Sequence, residues 1–254
     1  MRIKRLLTVS ALAIVLMLGG TGAAYAAEIH VLCSLGLKSV MEELAPQFER
    51  TSGHKVVVEY GLAAQFKQQI EGGKDFEVAV LTPAHIDDLI KQSKMAADSR
   101  TVIARTGLGL MIKAGGKKPD VSNTEAFKRT LLGAKSIAFA KEGASGVAFV
   151  ATVEKLGMTE ALKSRFKTTG GGEEVNELVV KGGADFGVLP LSEILAVKGA
   201  ELGGMFPADV QTFITMAGGV NAKAKQGAAA RDLLKFLTSP GVLPTIKAKG
   251  MERS

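Results

Sequence analysis

The chain of 254 residues is 46% hydrophobic, 22% charged and 5% aromatic, with 30 glycines. That balance excludes disordered, collagen-like and coiled-coil chains and supplies enough apolar side chain for a large core. Lys and Arg number 32 against 25 Asp and Glu, but Arg2, Lys4 and Arg5 sit in a targeting pattern; the remaining 29 basic residues leave a net +4, too small and too dispersed for a nucleic-acid binder.

The targeting pattern spans residues 1–26. Basic residues among the first five precede a largely apolar run at 6–18, and Ala24-Tyr25-Ala26 places small residues where a signal peptidase reads. The run is shorter than the roughly 18–20 residues of a permanent membrane helix, and no later stretch approaches that length. The expectation is a removed signal peptide and a protein exported to the periplasm. Cys33 is the single cysteine, so no internal disulfide is available. It follows His30-Val31-Leu32 rather than small residues, which disfavours a lipid anchor, and reads as a buried thiol ending the first strand.

From there the chain alternates strand, loop and helix. Residues 29–33 read as a strand, Ser34-Leu35-Gly36 as a loop, and 37–50 as a helix with apolar residues at Leu37, Val40, Met41, Leu44 and Phe48. A β-branched strand at 55–60 is followed by the small-residue loop Gly61-Leu62-Ala63-Ala64 and a helix at 65–71. A strand at 77–81 leads into Thr82-Pro83, a helix start signal, and a helix to Lys91. Residues 101–104 are strand-like and precede Arg105 and the glycine-containing run 106–109. Alternation of this kind predicts an α/β fold with mainly parallel sheets flanked by helices.

The same grammar recurs about 110 residues later. Gly72-Gly73-Lys74-Asp75-Phe76 returns as Gly182-Gly183-Ala184-Asp185-Phe186, each copy closing a helix and entering a strand. In that register Thr82 stands opposite Ser192. A strand at 136–139, the loop Ala144-Ser145-Gly146 and a helix through Leu156 mirror the first strand, loop and helix. Two lobes are therefore expected, each presenting hydroxyl and glycine loops at the carboxyl ends of its strands. Ligands of open α/β sheets sit there, facing helix amino ends. Free backbone N–H groups and the helix dipole favour an anion without requiring a lysine. The candidate ligand-binding residues are Ser34, Leu35, Gly36, Gly61, Leu62, Ala63, Ala64, Thr82, Pro83, Ala144, Ser145, Gly146, Gly171 and Ser192, with Arg105 as a further candidate clamp near the expected crossing between the lobes. Lys141 and Glu142 are placed to rim the cleft, and Tyr60 abuts the second loop.

Other chemistries lack their residues. His30, His54 and His85 are scattered, with no pair at helical spacing for a transition metal. Gly143-Ala144-Ser145-Gly146-Val147 has valine where a nucleophile elbow needs glycine. No phosphate loop is present, and Gly107-Leu108-Gly109 lacks the third glycine of a dinucleotide fingerprint, so no cofactor is expected.

The ordered series Val31-Leu32-Cys33-Ser34-Leu35-Gly36-Leu37, Phe48-Glu49-Arg50-Thr51-Ser52-Gly53-His54-Lys55-Val56, Ile70-Glu71-Gly72-Gly73 and Val78-Ala79-Val80-Leu81-Thr82 resembles the periplasmic molybdate-binding proteins of ABC importers, which are type II solute-binding proteins. The resemblance covers essentially the whole chain after the targeting pattern. It implies two lobes crossed twice by the chain, here residues 27–104 with 212–254 and residues 105–211, which close on a small anion bound by hydroxyls and backbone N–H groups. It also implies an inner-membrane ABC permease as partner; a monomer suits a diffusing receptor. This chain departs from the family at Gly61-Leu62-Ala63-Ala64, where a serine pair is usual, and at Val188-Leu189-Pro190, where a tyrosine is usual. Leu81-Thr82-Pro83, Arg105 and Lys118-Pro119-Asp120 look more like a branch that includes a periplasmic aconitate isomerase, which implies an organic carboxylate. On that branch the alternative is an isomerase acting on an unsaturated tricarboxylate; Lys141, Glu142, Glu193 and His85 are then all available as its base, with none singled out.

Overall fold

A computed structural model describes residues 26–253, so the expected signal peptide lies outside the described residues apart from its last position, Ala26. The first strand, β1 (Glu28–Ser34), alternates exposed Glu28 and His30 with buried Ile29 and Val31 before becoming buried on both faces. Helix α1 (Lys38–Ser52) lays Val40, Met41, Leu44, Ala45 and Phe48 on the core at helical spacing and stops at Gly53, whose φ of 75° is the left-handed conformation that ends helices. Then follow β2 (Lys55–Gly61), α2 (Ala63–Glu71), β3 (Val78–Leu81) and α3 (Pro83–Lys91). The loop expected at 61–64 shrinks to Leu62, because the strand runs through Gly61 and the helix begins at Ala63.

Strand β4 (Thr101–Lys113) leads to α4 (Thr124–Gly133), β5 (Ile137–Ala140), α5 (Ala144–Lys155), the short α6 (Thr159–Leu162), β6 (Phe166–Thr169), α7 (Gly172–Val180), β7 (Phe186–Pro190), the short α8 (Leu191–Ile194) and β8 (Ala200–Met205). The chain returns through β9 (Phe213–Val220) and closes with α9 (Gly227–Leu237) and α10 (Leu243–Ala248). Strand order is β2-β1-β3-β9-β4-β7-β5-β6, with β8 on β4. The sets β2-β1-β3 and β6-β5-β7 each run parallel, and they stand at opposite ends of that order. The two Gly-Gly-x-Asp-Phe segments enter the matching strands β3 and β7. Between the two sets, β9 and β4 run antiparallel to their neighbours.

Strand β4 belongs to both halves. Its stretch to Gly107 pairs with β9, and from Leu108 it pairs with β7 and β8. The sequence separated a strand at 101–104 from a glycine run at 106–109, whereas the structure makes one strand of them. These glycines admit neighbours: a Cβ on Gly107 would lie 2.8 Å from the Met205 methyl, and one on Gly109 would lie 2.8 Å from a Leu202 methyl. At the change of partner the Gln211 amide takes up the backbone. Its Oε1 accepts from Leu108 N at 2.8 Å, and its Nε2 donates to Leu108 O and Phe206 O, both at 3.2 Å. Leu108 N–H and carbonyl also meet Thr212 O at 3.3 Å and Phe206 N at 3.0 Å, but the buried Phe206 carbonyl loses a donor without the amide, so Gln211→Ala is expected to lower stability by about 1–3 kcal/mol, measured by chemical denaturation.

Candidate functional site

A cavity of about 320 Å³ opens between the two halves. Its walls come from the carboxyl ends of strands and the helix starts that follow. In the first half, Ser34 ends β1 and Leu35 and Gly36 form the turn after it, Leu62, Ala63 and Ala64 follow β2, and Thr82 follows β3. In the second half, Ala140 ends β5, Gly143, Ala144 and Ser145 open α5, and Leu189 and Pro190 end β7, while Gly172 opens α7. Ile214 and Met216 of the return strand β9 form the floor.

Helices α2, α3, α5 and α7 all begin at this cavity, and none has a side chain capping its first turn. Two helix starts elsewhere are closed by side chains. Asn123 accepts from Ala126 N at 2.9 Å to cap α4, and the Glu77 carboxylate accepts from Lys225 N and Gln226 N at the entry to α9. A helix start leaves up to four N–H groups without intrahelical partners and carries about half a positive charge. Four of them around one hollow favour negative charge, although Pro83 removes one N–H from α3. The hydroxyls of Ser34 and Ser145 lie in buried residues of the same wall.

Three titratable side chains line the cavity beside these donors. His85 Nδ1 is 3.1 Å from Thr82 Oγ1, and burial, reinforced by Lys67, holds the imidazole pKa below its usual value. The ring is therefore neutral at physiological pH. Glu193, on α8, reaches the cavity beside Gly172; burial pushes its carboxyl up to about 7, with only Lys38 pulling the other way. Glu142 stands at the rim and is exposed. Among the described residues, no group of three or more His, Cys, Asp or Glu side chains is arranged to hold a metal ion.

Of the residues named from sequence, the structure brings Ser34, Leu35, Gly36, Leu62, Ala63, Ala64, Thr82, Ala144 and Ser145 together on the cavity wall. Gly61, Pro83, Gly146 and Gly171 adjoin it without lining it. Gly146 has a packing reason of its own, since a Cβ there would sit 1.9 Å from the Ala140 carbonyl oxygen. Arg105 lies elsewhere: its Nε donates to Glu252 Oε1 at 2.8 Å and its guanidinium stacks on Phe213 at 4.3 Å. Ser192 is buried beneath the wall, its hydroxyl donating to Gly36 O at 3.0 Å and its N–H to Thr106 Oγ1 at 3.3 Å. It ties α8 to the turn after β1 and is turned away from the hollow. Val147, Ile214 and Met216 escaped the sequence reading, which assigned no strand to 213–220. Where the family resemblance implied a serine pair and a tyrosine, the wall is apolar, built from Leu62, Ala63, Ala64, Leu189 and Pro190.

Residues 29–252 match the family of bacterial extracellular solute-binding proteins. The chain belongs to that family. Among curated relatives, a molybdate-binding protein, ModA, of Azotobacter vinelandii is 32% identical over 238 residues, covering 90% of this chain and 91% of the relative. An aconitate isomerase of a Pseudomonas species is 28% identical over 230 residues, covering 88% and 87%. The solved periplasmic molybdate-binding protein of Azotobacter vinelandii superposes with a TM-score of 0.76 at 21% identity, over 89% of this chain and 99% of that one, and shares its fold. The two halves of this solute-binding protein thus have the two-lobe fold of type II periplasmic binding proteins, with the cavity between them.

The neighbouring residues of the α5 start should respond differently to substitution. Gly146→Ala forces a backbone clash and is expected to destabilise the protein by at least about 1–3 kcal/mol, whereas Ser145→Ala should leave the unfolding midpoint near that of the parent. Thermal and chemical unfolding of the pair distinguishes scaffold from wall.

Proposed function

We propose that this protein captures a small anion in its interlobe cavity in the periplasm and hands it to an ABC-type permease of the inner membrane. The observation that carries the reading is the convergence of four uncapped helix starts on one hollow. Family membership supports it, as does the molybdate-binding relative. Among the described residues no helix is long and apolar enough to cross a membrane, in keeping with a diffusing receptor. Among the described residues no Lys or Arg lines the cavity, so the donors are peptide N–H groups and hydroxyls, which hold an anion without demanding one shape of it. The ligand class is a molybdate-like oxyanion or an organic carboxylate. The lobes, residues 27–104 with 212–254 and residues 105–211, close on it as a monomer. The site consists of the wall residues Ser34, Thr82 and Ser145 with the amides opening α2, α3, α5 and α7.

A thermal-shift series with molybdate, tungstate, citrate and aconitate tests this directly. A ligand at one hundred times its Kd stabilises the folded state by about 2.7 kcal/mol, so a bound anion raises the unfolding midpoint clearly. Failure of every anion to do so overturns the reading. Arg105→Ala is expected to leave the affinity of the responding anion unchanged, because Arg105 is engaged by Glu252 and Phe213; calorimetry reads this.

A second reading is favoured by one observation: the cavity holds a neutral imidazole, His85, and a carboxyl displaced toward neutrality, Glu193. An isomerase moving a proton between carbons of an unsaturated tricarboxylate needs such a base together with donors for the developing negative oxygen. The aconitate isomerase relative supports this alternative. NMR of aconitate incubated in deuterated buffer with the protein would show interconversion or deuterium incorporation if it holds, and an inert substrate at high protein concentration removes it.

A further inference from the structure

Among the described residues two carboxyl side chains line the cavity, the exposed Glu142 and the part-buried Glu193, and the position of Glu193 is built rather than incidental. It stands at the third residue of α8, directly after Pro190 ends β7, and a Cβ on Gly172 would lie 2.7 Å from its Oε2. The missing side chain at Gly172 is what admits the carboxyl against the start of α7. Among the described residues it has no side-chain hydrogen bond that would hold it ionised.

A carboxylate only accepts hydrogen bonds, and so do the oxygens of a fully ionised anion. Two such groups meeting in a hollow shielded from water repel strongly. One proton between them converts the clash into a charge-assisted O–H···O bond. We propose that Glu193 is a ligand-binding residue that shares one proton with the captured anion, so that the site takes up its ligand together with a proton.

This rests on the anion-capture reading. The free protein is already poised for it, since burial holds the Glu193 carboxyl at about 7. A route for the proton is present as well. Glu193 also lines a second cavity of about 240 Å³ on its far side, where the buried Ser39 Oγ and Asn176 Oδ1 have no protein partner. Polar atoms of this kind in a space of this size are satisfied by water, which connects the carboxyl to solvent.

The charged groups around Glu193 do not take over its role. From α1, Lys38 and Glu42 line the second cavity; Lys38 is paired with Glu173 of α7 at 3.6 Å. Strands β4, β7 and β8, which pack on α8, place no titratable side chain in either cavity. Across the main cavity stand His85 and the exposed Glu142. The lowered His85 pKa confines that ring's titration to acid pH, so the range above neutrality reports on Glu193.

Calorimetry with molybdate and with aconitate between pH 6 and 9, in buffers of different ionisation enthalpy, tests the proposal. Between about pH 7.5 and 9 the affinity of the protein should fall by about tenfold per pH unit, with uptake of about one proton per anion at pH 8. Glu193→Gln, which is a fixed donor of the same shape, should bind with an affinity that is flat over that range and should take up no proton. A flat profile without proton uptake in the unmodified protein overturns this inference and leaves the capture reading standing. So does a Glu193→Gln variant whose profile tracks that of the parent. If neither anion nor the wider series binds at any pH, the capture reading and this inference fall together. The proton count on the unmodified protein decides the matter even if the variant does not fold.

Discussion

The architecture depends on one strand changing partners without leaving a peptide group unpaired. At Gly107 and Leu108, β4 leaves the sheet of one lobe and joins that of the other, and there the Leu108 N–H reaches Thr212 O while its carbonyl accepts from Phe206 N. Buried peptide groups without partners are costly. Gln211 reinforces the change of partner with a single side chain that supplies both an acceptor and a donor to Leu108. Around it, Thr106 Oγ1 donates to Gly250 O and accepts from Ser192 N, and Ser192 Oγ reaches Gly36 O. The joint therefore connects β4, the C-terminal segment, α8 and the turn after β1. Through that last link it fixes the cavity's floor relative to its walls.

Much of this was legible beforehand because it rests on local signals. Apolar periodicity located β1, α1, β2, β3 and α3 closely, and the repeated Gly-Gly-x-Asp-Phe segment disclosed the doubled plan. Small and hydroxyl residues at strand ends led to Ser34, Thr82, Ala144 and Ser145. What escaped the reading depends on distant parts of the chain. Arg105 looks like a free guanidinium in sequence, yet its partner Glu252 stands 147 residues away. The glycines of β4 look like a turn, yet they answer to Met205 and Leu202, which only the fold brings near. Ile214 and Met216 lie on a return strand whose short mixed run carries no clear alternation.

The contrast between Thr82 and Ser192 marks the limit of reasoning by internal symmetry. The two stand opposite in the repeated register, but Thr82 directly follows β3 and occupies the cap position of α3, whereas Ser192 is already the second residue of α8, which begins straight after β7. Thr82 faces the hollow and meets His85, whereas Ser192 is drawn down into the joint by Gly36 and Thr106. The duplicated frame repeats the backbone, but only one lobe supports the joint at that position. The second lobe compensates with Glu193 in the following position, which gives the two walls different chemistry despite their shared plan.

On the proposed reading, the grip on negative charge comes from peptide amides at helix starts, donors that no point substitution other than proline can delete. Selectivity is then left to a handful of exchangeable side chains, chiefly Thr82, His85, Ser145 and Glu193, mounted on a scaffold that Gly146 and Gln211 support. A receptor built this way could drift from one cargo to another through changes at the rim and wall while staying folded. The apolar stretches at Ala63-Ala64 and Leu189-Pro190 mark where a designer would install polar side chains to redirect it.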